Sequence, residues 1–121
     1  MPHLTLEYTR NLAGFNPAKT LAAVNAAMFD SGLFSEPDIK SRAIALDVFK
    51  VGVKAAPRAF IHVAIRLLSG RSDEERKQLA DAVLAALSDS LEGNGRQEIQ
   101  LSVETADLHR ASYAKEIVDA G

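Results

Sequence analysis

No cysteine occurs anywhere in the 121 residues. That absence removes disulfide frameworks, thiolate metal sites and cysteine nucleophiles in one step. No apolar run approaches about 18 residues, the length that reads as a membrane-spanning helix, so no membrane partner is expected. An excess of positive charge is also missing. The 14 Lys and Arg are outnumbered by 16 Asp and Glu, which leaves a formal net charge of -2. No overall basic field is available to hold nucleic acid or an anionic membrane, although a local cluster gripping a small anion is still allowed. The three histidines, His3, His62 and His109, are widely spaced and form no metal-ligand motif. There is no glycine-rich phosphate loop, and Gly93-Asn94-Gly95 reads as a turn after a helix. Neither a metal nor a cofactor is therefore expected. The N-terminus Met-Pro-His-Leu-Thr-Leu-Glu-Tyr has no basic start and no long apolar core. It does not read as a signal peptide, and a cytoplasmic location is the expectation.

What is present is ordinary globular usage, with 47% hydrophobic and 25% charged residues in a length that suits one domain. Leu4, Leu6 and Tyr8 alternate at period two, the mark of a short strand over residues 3–8. Asn16 followed by Pro17 reads as a helix N-cap with proline at the first helical position. Leu21, Val24, Asn25, Met28 and Phe29 continue at helical spacing, and Gly32 supplies the stop. A β-branched-rich stretch from Ile39 to about Val51 predicts a bent strand, and Gly52 to Pro57 a loop. Ile61, Val63, Ile65 and Leu67 then form a wholly apolar strand face, opposite a mixed one of Phe60, His62, Ala64, Arg66 and Leu68. Ser72 and Glu75 make a capping box. The helix behind it buries Leu79, Val83, Leu87 and Leu91, and Gly93 and Gly95 end it. A last strand, Glu98 to Glu104, turns Ile99, Leu101 and Val103 inward. The tail from Ala106 to Gly121 is weakly patterned and suits packing across a neighbouring subunit.

The order is strand–helix–strand, repeated once. Each unit is expected to be a right-handed βαβ crossover with parallel strands. The fold class is thus α/β (of the α+β kind): tandem βαβ units, about 2–52 and 58–105, forming a four-stranded mixed sheet with two helices on one face. Together with the tail they make one domain, 1–121. The other sheet face is too apolar at Phe60, Ala64 and Leu68 for water. It is too polar at His62, Arg66, Gln100 and Ser102 for a dry core. A subunit interface around a semi-polar interior accommodates both, so an oligomer is expected.

Few residues are placed to carry chemistry. A small second residue permits removal of Met1, which leaves Pro2 with a free secondary amine. α-Amino groups titrate near about 7.7–8.0, and apolar surroundings lower that further. An amine neutral near pH 7 is a usable general base, yet Met-Pro starts also occur in proteins of unrelated function. Arg71, beside the amides of a helix N-terminus, either forms a carboxylate site or is a plain loop arginine. Lys40 and Arg42 share one strand face. With Arg71 they would grip a substrate with two carboxylates; otherwise they are an ordinary solvated pair. That face would also hold Ile44, Leu46 and Val48, which are expected to point at the helices, so a bulge or bend is required after Arg42. His62 reads as an interface histidine, and Ser72 is fully explained as a cap.

Taken jointly, Pro2-His3-Leu4, Val24-Asn25, Ser31-Gly32-Leu33-Phe34, Ile39-Lys40-Ser41-Arg42, Phe60-Ile61-His62 and Gly70-Arg71-Ser72 resemble 5-carboxymethyl-2-hydroxymuconate Δ-isomerase, a member of the tautomerase superfamily. The likeness runs over roughly residues 2–105 in consistent order. Gly70-Arg71-Ser72-Asp73-Glu74-Glu75 also looks like 4-oxalocrotonate tautomerase, whose subunit equals one βαβ unit. The resemblance implies a tautomerase-like fold, a homotrimer and a cofactor-independent isomerase of aromatic compound breakdown. It implies that Pro2 is the base moving a proton in an unsaturated 2-hydroxy/2-oxo di- or tricarboxylate, and that Arg71 binds substrate carboxylate. Lys40 falls where the family usually carries arginine and keeps the charge without the bidentate fork. Gln100 holds the equivalent place in the second unit, which implies no second site there. Two other readings stand beside this one: a phenylpyruvate-type keto–enol tautomerase, which needs one carboxylate contact, and a non-catalytic trimeric binding protein of the same fold.

Overall fold

Alternation of side chains along the first strand decides which way the sheet faces. In the computed structural model, which describes residues 1–91 and 97–120, β1 (His3–Thr9) buries Leu4 and Leu6 completely and packs Tyr8 against the same core. β3 (Arg58–Leu68) does likewise with Ala59, Ile61, Val63, Ile65 and Leu67. The two strands pair antiparallel, with Leu4 opposite Ile65 and Leu6 opposite Val63, so both apolar rows lie on one side. β2 (Lys40–Leu46) runs parallel to β1, and β4 (Glu98–Leu108) parallel to β3. The sheet order is β2-β1-β3-β4, two βαβ units joined through their first strands.

Helix α1 (Pro17–Asp30) starts where the Asn16 side chain accepts a hydrogen bond from the Lys19 amide at 3.1 Å. It ends at Ser31, after which Gly32 turns the chain with φ +76°, a left-handed geometry that favours glycine. Its buried stripe is Thr20, Val24 and Met28, one turn apart, while Leu21 is half-buried. Phe29, expected on that stripe, is 50% exposed, because only the i, i+4 row faces the sheet. Helix α2 (Asp73–Ser90) carries the complete Ser72–Glu75 capping box and buries Leu79, Val83 and Leu87. Each such side chain contributes about 1.5–3 kcal/mol on burial. Leu91 lies just past the helix end and packs on the core edge. Residues 93 and 95, expected to stop this helix, lie outside the described residues. The helices pack beside one another on the same side of the sheet, and Thr20 Oγ1 meets Ser90 Oγ at 3.0 Å where they touch. Among the described residues no helix is long and apolar enough to cross a membrane.

Three expectations need correction. β2 stops at Leu46 instead of running toward Val51, since its partner β1 ends at Thr9 and offers nothing beyond that pair. The Arg10 amide bonds to the Leu46 carbonyl at 3.1 Å as the chains part. The faces of β2 are also opposite to those expected. Ser41 and Ala43 stand in register with Leu4 and Leu6 and take the core side. Lys40, Arg42 and Ile44 therefore all look away from the helices, with Ile44 46% exposed, and the unbroken register contains no bulge. Finally, β4 continues four residues past Glu104 to Leu108, because β3 provides a partner for each of them up to Leu68.

Candidate active site

The site lies where β1 begins. Pro2 is buried, and its carbonyl accepts from the Lys40 amide at 3.2 Å, the first rung of the β1–β2 ladder. Met1 precedes it and opens onto a cavity of about 510 Å³. Leu33, Phe34, Leu67 and Leu68 give this cavity apolar walls. Arg71, Arg110 and Lys115 bring three positive charges into it, against one carboxylate, Asp38. Tyr113 and Ser35 complete the lining.

Each cation is fixed by a contact within the chain, and the two arginines keep capacity for more. The cap of α2 sets Arg71 at the helix mouth, where one guanidinium nitrogen donates to the Leu33 carbonyl at 2.8 Å. The same guanidinium lies 5.8 Å over the Phe34 ring, a cation–π contact. Arg110 is anchored in the same manner, one nitrogen donating to the Ser69 carbonyl at 2.8 Å. Both keep N–H groups for a carboxylate. Lys115 pairs with the Asp38 carboxylate, and Lys40 donates through Nζ to the Asp38 main-chain oxygen at 2.9 Å.

Charge and burial act on the chain's amine. The Met1 α-ammonium is held below its ordinary value by burial first, then by Lys40; Asp38 opposes this and Lys115 adds to it. The surroundings therefore favour a neutral amine. His3, on the next residue, is also held below its ordinary range, again by burial first and then by Arg42 and Lys40.

Of the residues singled out from sequence, Arg71 lines the cavity, Pro2 lies directly behind Met1, and the charge of Lys40 acts on the Met1 amine. Arg42 is not among the lining residues. Its guanidinium sits on the open sheet face, 2.6 Å from Nδ1 of His3. The sequence reading missed Asp38, Arg110, Tyr113 and Lys115. The last three belong to the weakly patterned tail, which the added length of β4 and a 3-10 turn at Arg110–Ser112 bring back over the start of β1. No local periodicity signals such a return. His62 lies elsewhere, on the open face, bonded to Ser102 Oγ at 2.7 Å and to Glu104. Among the described residues no group of three or more His, Cys, Asp or Glu is poised for a metal ion.

The sequence model of 5-carboxymethyl-2-hydroxymuconate isomerase matches residues 2–118. The crystal structure of a 5-carboxymethyl-2-hydroxymuconate isomerase from Deinococcus radiodurans R1 is 30% identical, with a TM-score of 0.87 over 95% of this chain and 88% of its own. A 5-carboxymethyl-2-hydroxymuconate delta-isomerase superposes with a TM-score of 0.77 at 16% identity, over 98% and 89% of the two chains. A fused 4-OT, described as a symmetric trimer, has a TM-score of 0.73 at 23% identity, over 93% and 90%. These last two speak for the fold. No curated protein matches the chain. With the family model spanning nearly its whole length, the chain belongs to the 5-carboxymethyl-2-hydroxymuconate isomerase family and is an isomerase of the tautomerase fold.

Proposed function

We propose that the chain, once Met1 is removed, uses the Pro2 amine to move a proton between carbons of an unsaturated 2-hydroxy/2-oxo di- or tricarboxylate, of the 5-carboxymethyl-2-hydroxymuconate kind formed in aromatic breakdown. The observation that carries this reading is the cavity at the N-terminus, where three cations face one carboxylate beside the buried Pro2, in surroundings that hold the preceding Met1 ammonium below its ordinary value. With Met1 in place the Pro2 nitrogen is a tertiary amide and no base. Removing Met1 creates the amine and also frees the space its side chain takes.

The chemistry follows from these groups. A neutral secondary amine accepts a proton from the carbon between a 2-oxo group and a double bond. The resulting ammonium returns it to the far end of the conjugated system. Charge that spreads onto oxygen meanwhile is stabilised by the cations of the pocket. Arg71 is the better placed carboxylate clamp, since it lines the cavity, which Lys40 and Arg42 do not, and a guanidinium has N–H groups beyond the one bonded to Leu33. Lys40 works nearer the amine, favouring its neutral form. Arg42 acts from the open face through His3.

We further propose that the working form is a homotrimer. The open sheet face carries Ile44 beside Arg42, His62 and Glu104, a mixture that a shared interior accommodates better than bulk water, and a fused 4-OT of the same fold is a symmetric trimer. The test of the reading is the rate at which processed protein ketonises a 2-hydroxymuconate-type dienol, followed by absorbance. Pro2→Ala, a primary amine without the ring, is expected to lose most of that rate; equal rates would take Pro2 out of the mechanism.

A further inference from the structure

Three side chains from distant parts of the sequence form a hydrogen-bonded line that ends in the cavity. Arg42 Nη2 lies 2.6 Å from His3 Nδ1, and His3 Nε2 lies 3.4 Å from the Tyr113 hydroxyl. A guanidinium has only N–H groups and accepts nothing. Nδ1 of His3 must therefore be the acceptor, so the ring is neutral with its proton on Nε2. Burial and the flanking charges of Arg42 and Lys40 hold the ring in that neutral form. Nε2–H then donates to the Tyr113 oxygen. A phenol that accepts at oxygen keeps its own hydrogen for another partner, and among the described residues the Tyr113 hydroxyl makes no other hydrogen bond. Tyr113 lines the cavity with Arg71 and Met1.

We infer that the Tyr113 hydroxyl is the neutral hydrogen-bond donor to the substrate oxygen that becomes enolate, and that His3 and Arg42 are positioning residues that aim it. This rests on the function proposed above. As the Pro2 nitrogen takes a proton from carbon, the C–H electron pair forms the new C=C and the carbonyl π pair moves to oxygen. Tyr113 keeps its proton and donates a hydrogen bond to that oxygen. When the ammonium protonates the distal carbon, the oxygen pair re-forms C=O and the tyrosine is unchanged. Because all the donors run one way, from the charged Arg42 through His3 to the phenol, each polarises the next and strengthens the last. Arg71 and Arg110 are then free for carboxylates, while Lys115 is already engaged by Asp38.

The experiment compares processed wild type, Pro2→Ala, Tyr113→Phe, His3→Ala, His3→Gln and Arg42→Gln on one 2-hydroxymuconate-type dienol. It also records the 15N shifts of His3. Tyr113→Phe, which removes only the hydroxyl, is expected to cut kcat about tenfold to a hundredfold, with KM within about twofold, as for a contact made only in the transition state. His3→Ala should lose a similar factor. His3→Gln, whose amide N–H falls near the place of Nε2, should recover most of it. In wild type the His3 proton should sit on Nε2 at neutral pH, and Arg42→Gln should release it to both nitrogens. An active wild type and an inactive Pro2→Ala with kcat unchanged in Tyr113→Phe would overturn this inference alone. So would a His3 proton found on Nδ1. A wild type that does not turn over the dienol overturns the proposed function, and this inference with it.

Discussion

The Lys115 ammonium stands 2.8 Å from an Asp38 carboxylate oxygen, tying the C-terminal segment to the turn that leads into β2. The hydrogen bond from Lys115, and then the N-terminal positive charge, hold the Asp38 carboxyl below its ordinary range. A depressed folded-state value makes the tie fully present above the ordinary carboxylate range and lost as pH falls through the lowered one. Acidification should therefore loosen residues 113–120, which carry one wall of the cavity. Lys115→Met should show that looseness already at neutral pH. Backbone NMR relaxation on the tail measures it, and identical tail dynamics in the two proteins at neutral pH would refute the tie.

The base predicts a pH profile. An amine must be neutral to accept a proton, so kcat/KM should rise through its pKa and then level. Burial, Lys40 and Lys115 lower the Met1 ammonium one residue away, and Pro2 is itself buried beside Lys40, so the midpoint for the processed amine should lie below the usual α-amino value of about 7.7–8.0. Lys40→Met removes a cation and should move the midpoint up. Asp38→Asn removes the opposing anion and should move it down. Movement of both variants in one direction would show that these charges do not govern the titration.

Arg71→Ala should lower kcat/KM for a dicarboxylate by about tenfold to a hundredfold, matching the roughly 1.5–3 kcal/mol of a charged hydrogen bond. Lys40→Arg should leave activity intact or improve it, because it supplies the planar fork. Arg110→Ala should harm a dicarboxylate more than a monocarboxylate such as phenylpyruvate. Equal losses on both substrates would count against selective recognition by these residues and favour a phenylpyruvate-type tautomerase.

The cap at the mouth of α2 has a separate, structural consequence. Ser72 Oγ accepts from the Glu75 amide at 3.1 Å, and Glu75 reaches back to the Ser72 amide at 3.0 Å. Ser72→Ala should cost about 1 kcal/mol, read as a lower denaturation midpoint with an unchanged denaturant slope. An unaltered midpoint would mean that the remaining half of the box suffices.

Alternation and helical spacing are local properties, and they were readable wherever one face of an element is buried. Ile61, Val63, Ile65 and Leu67 declare the core side of β3 in the sequence alone, as do Leu79, Val83 and Leu87 for α2. Ser72 and Asn16 declare the helix starts, since a cap bonds an amide three residues away. Pro2 and Arg71 stood out because their chemistry belongs to the residue and its immediate neighbours. Where partners lie far apart in the chain, that reading failed. The end of β2 at Leu46 was decided by the end of β1, and the exposure of Ile44 by its register with Glu7. The continuation of β4 was decided by the length of β3. The convergence of Tyr113 on His3, |i−j| = 110, and of Lys115 on Asp38, |i−j| = 77, comes from strand pairing that aims the tail, and no local pattern encodes the direction in which a paired strand leaves its sheet.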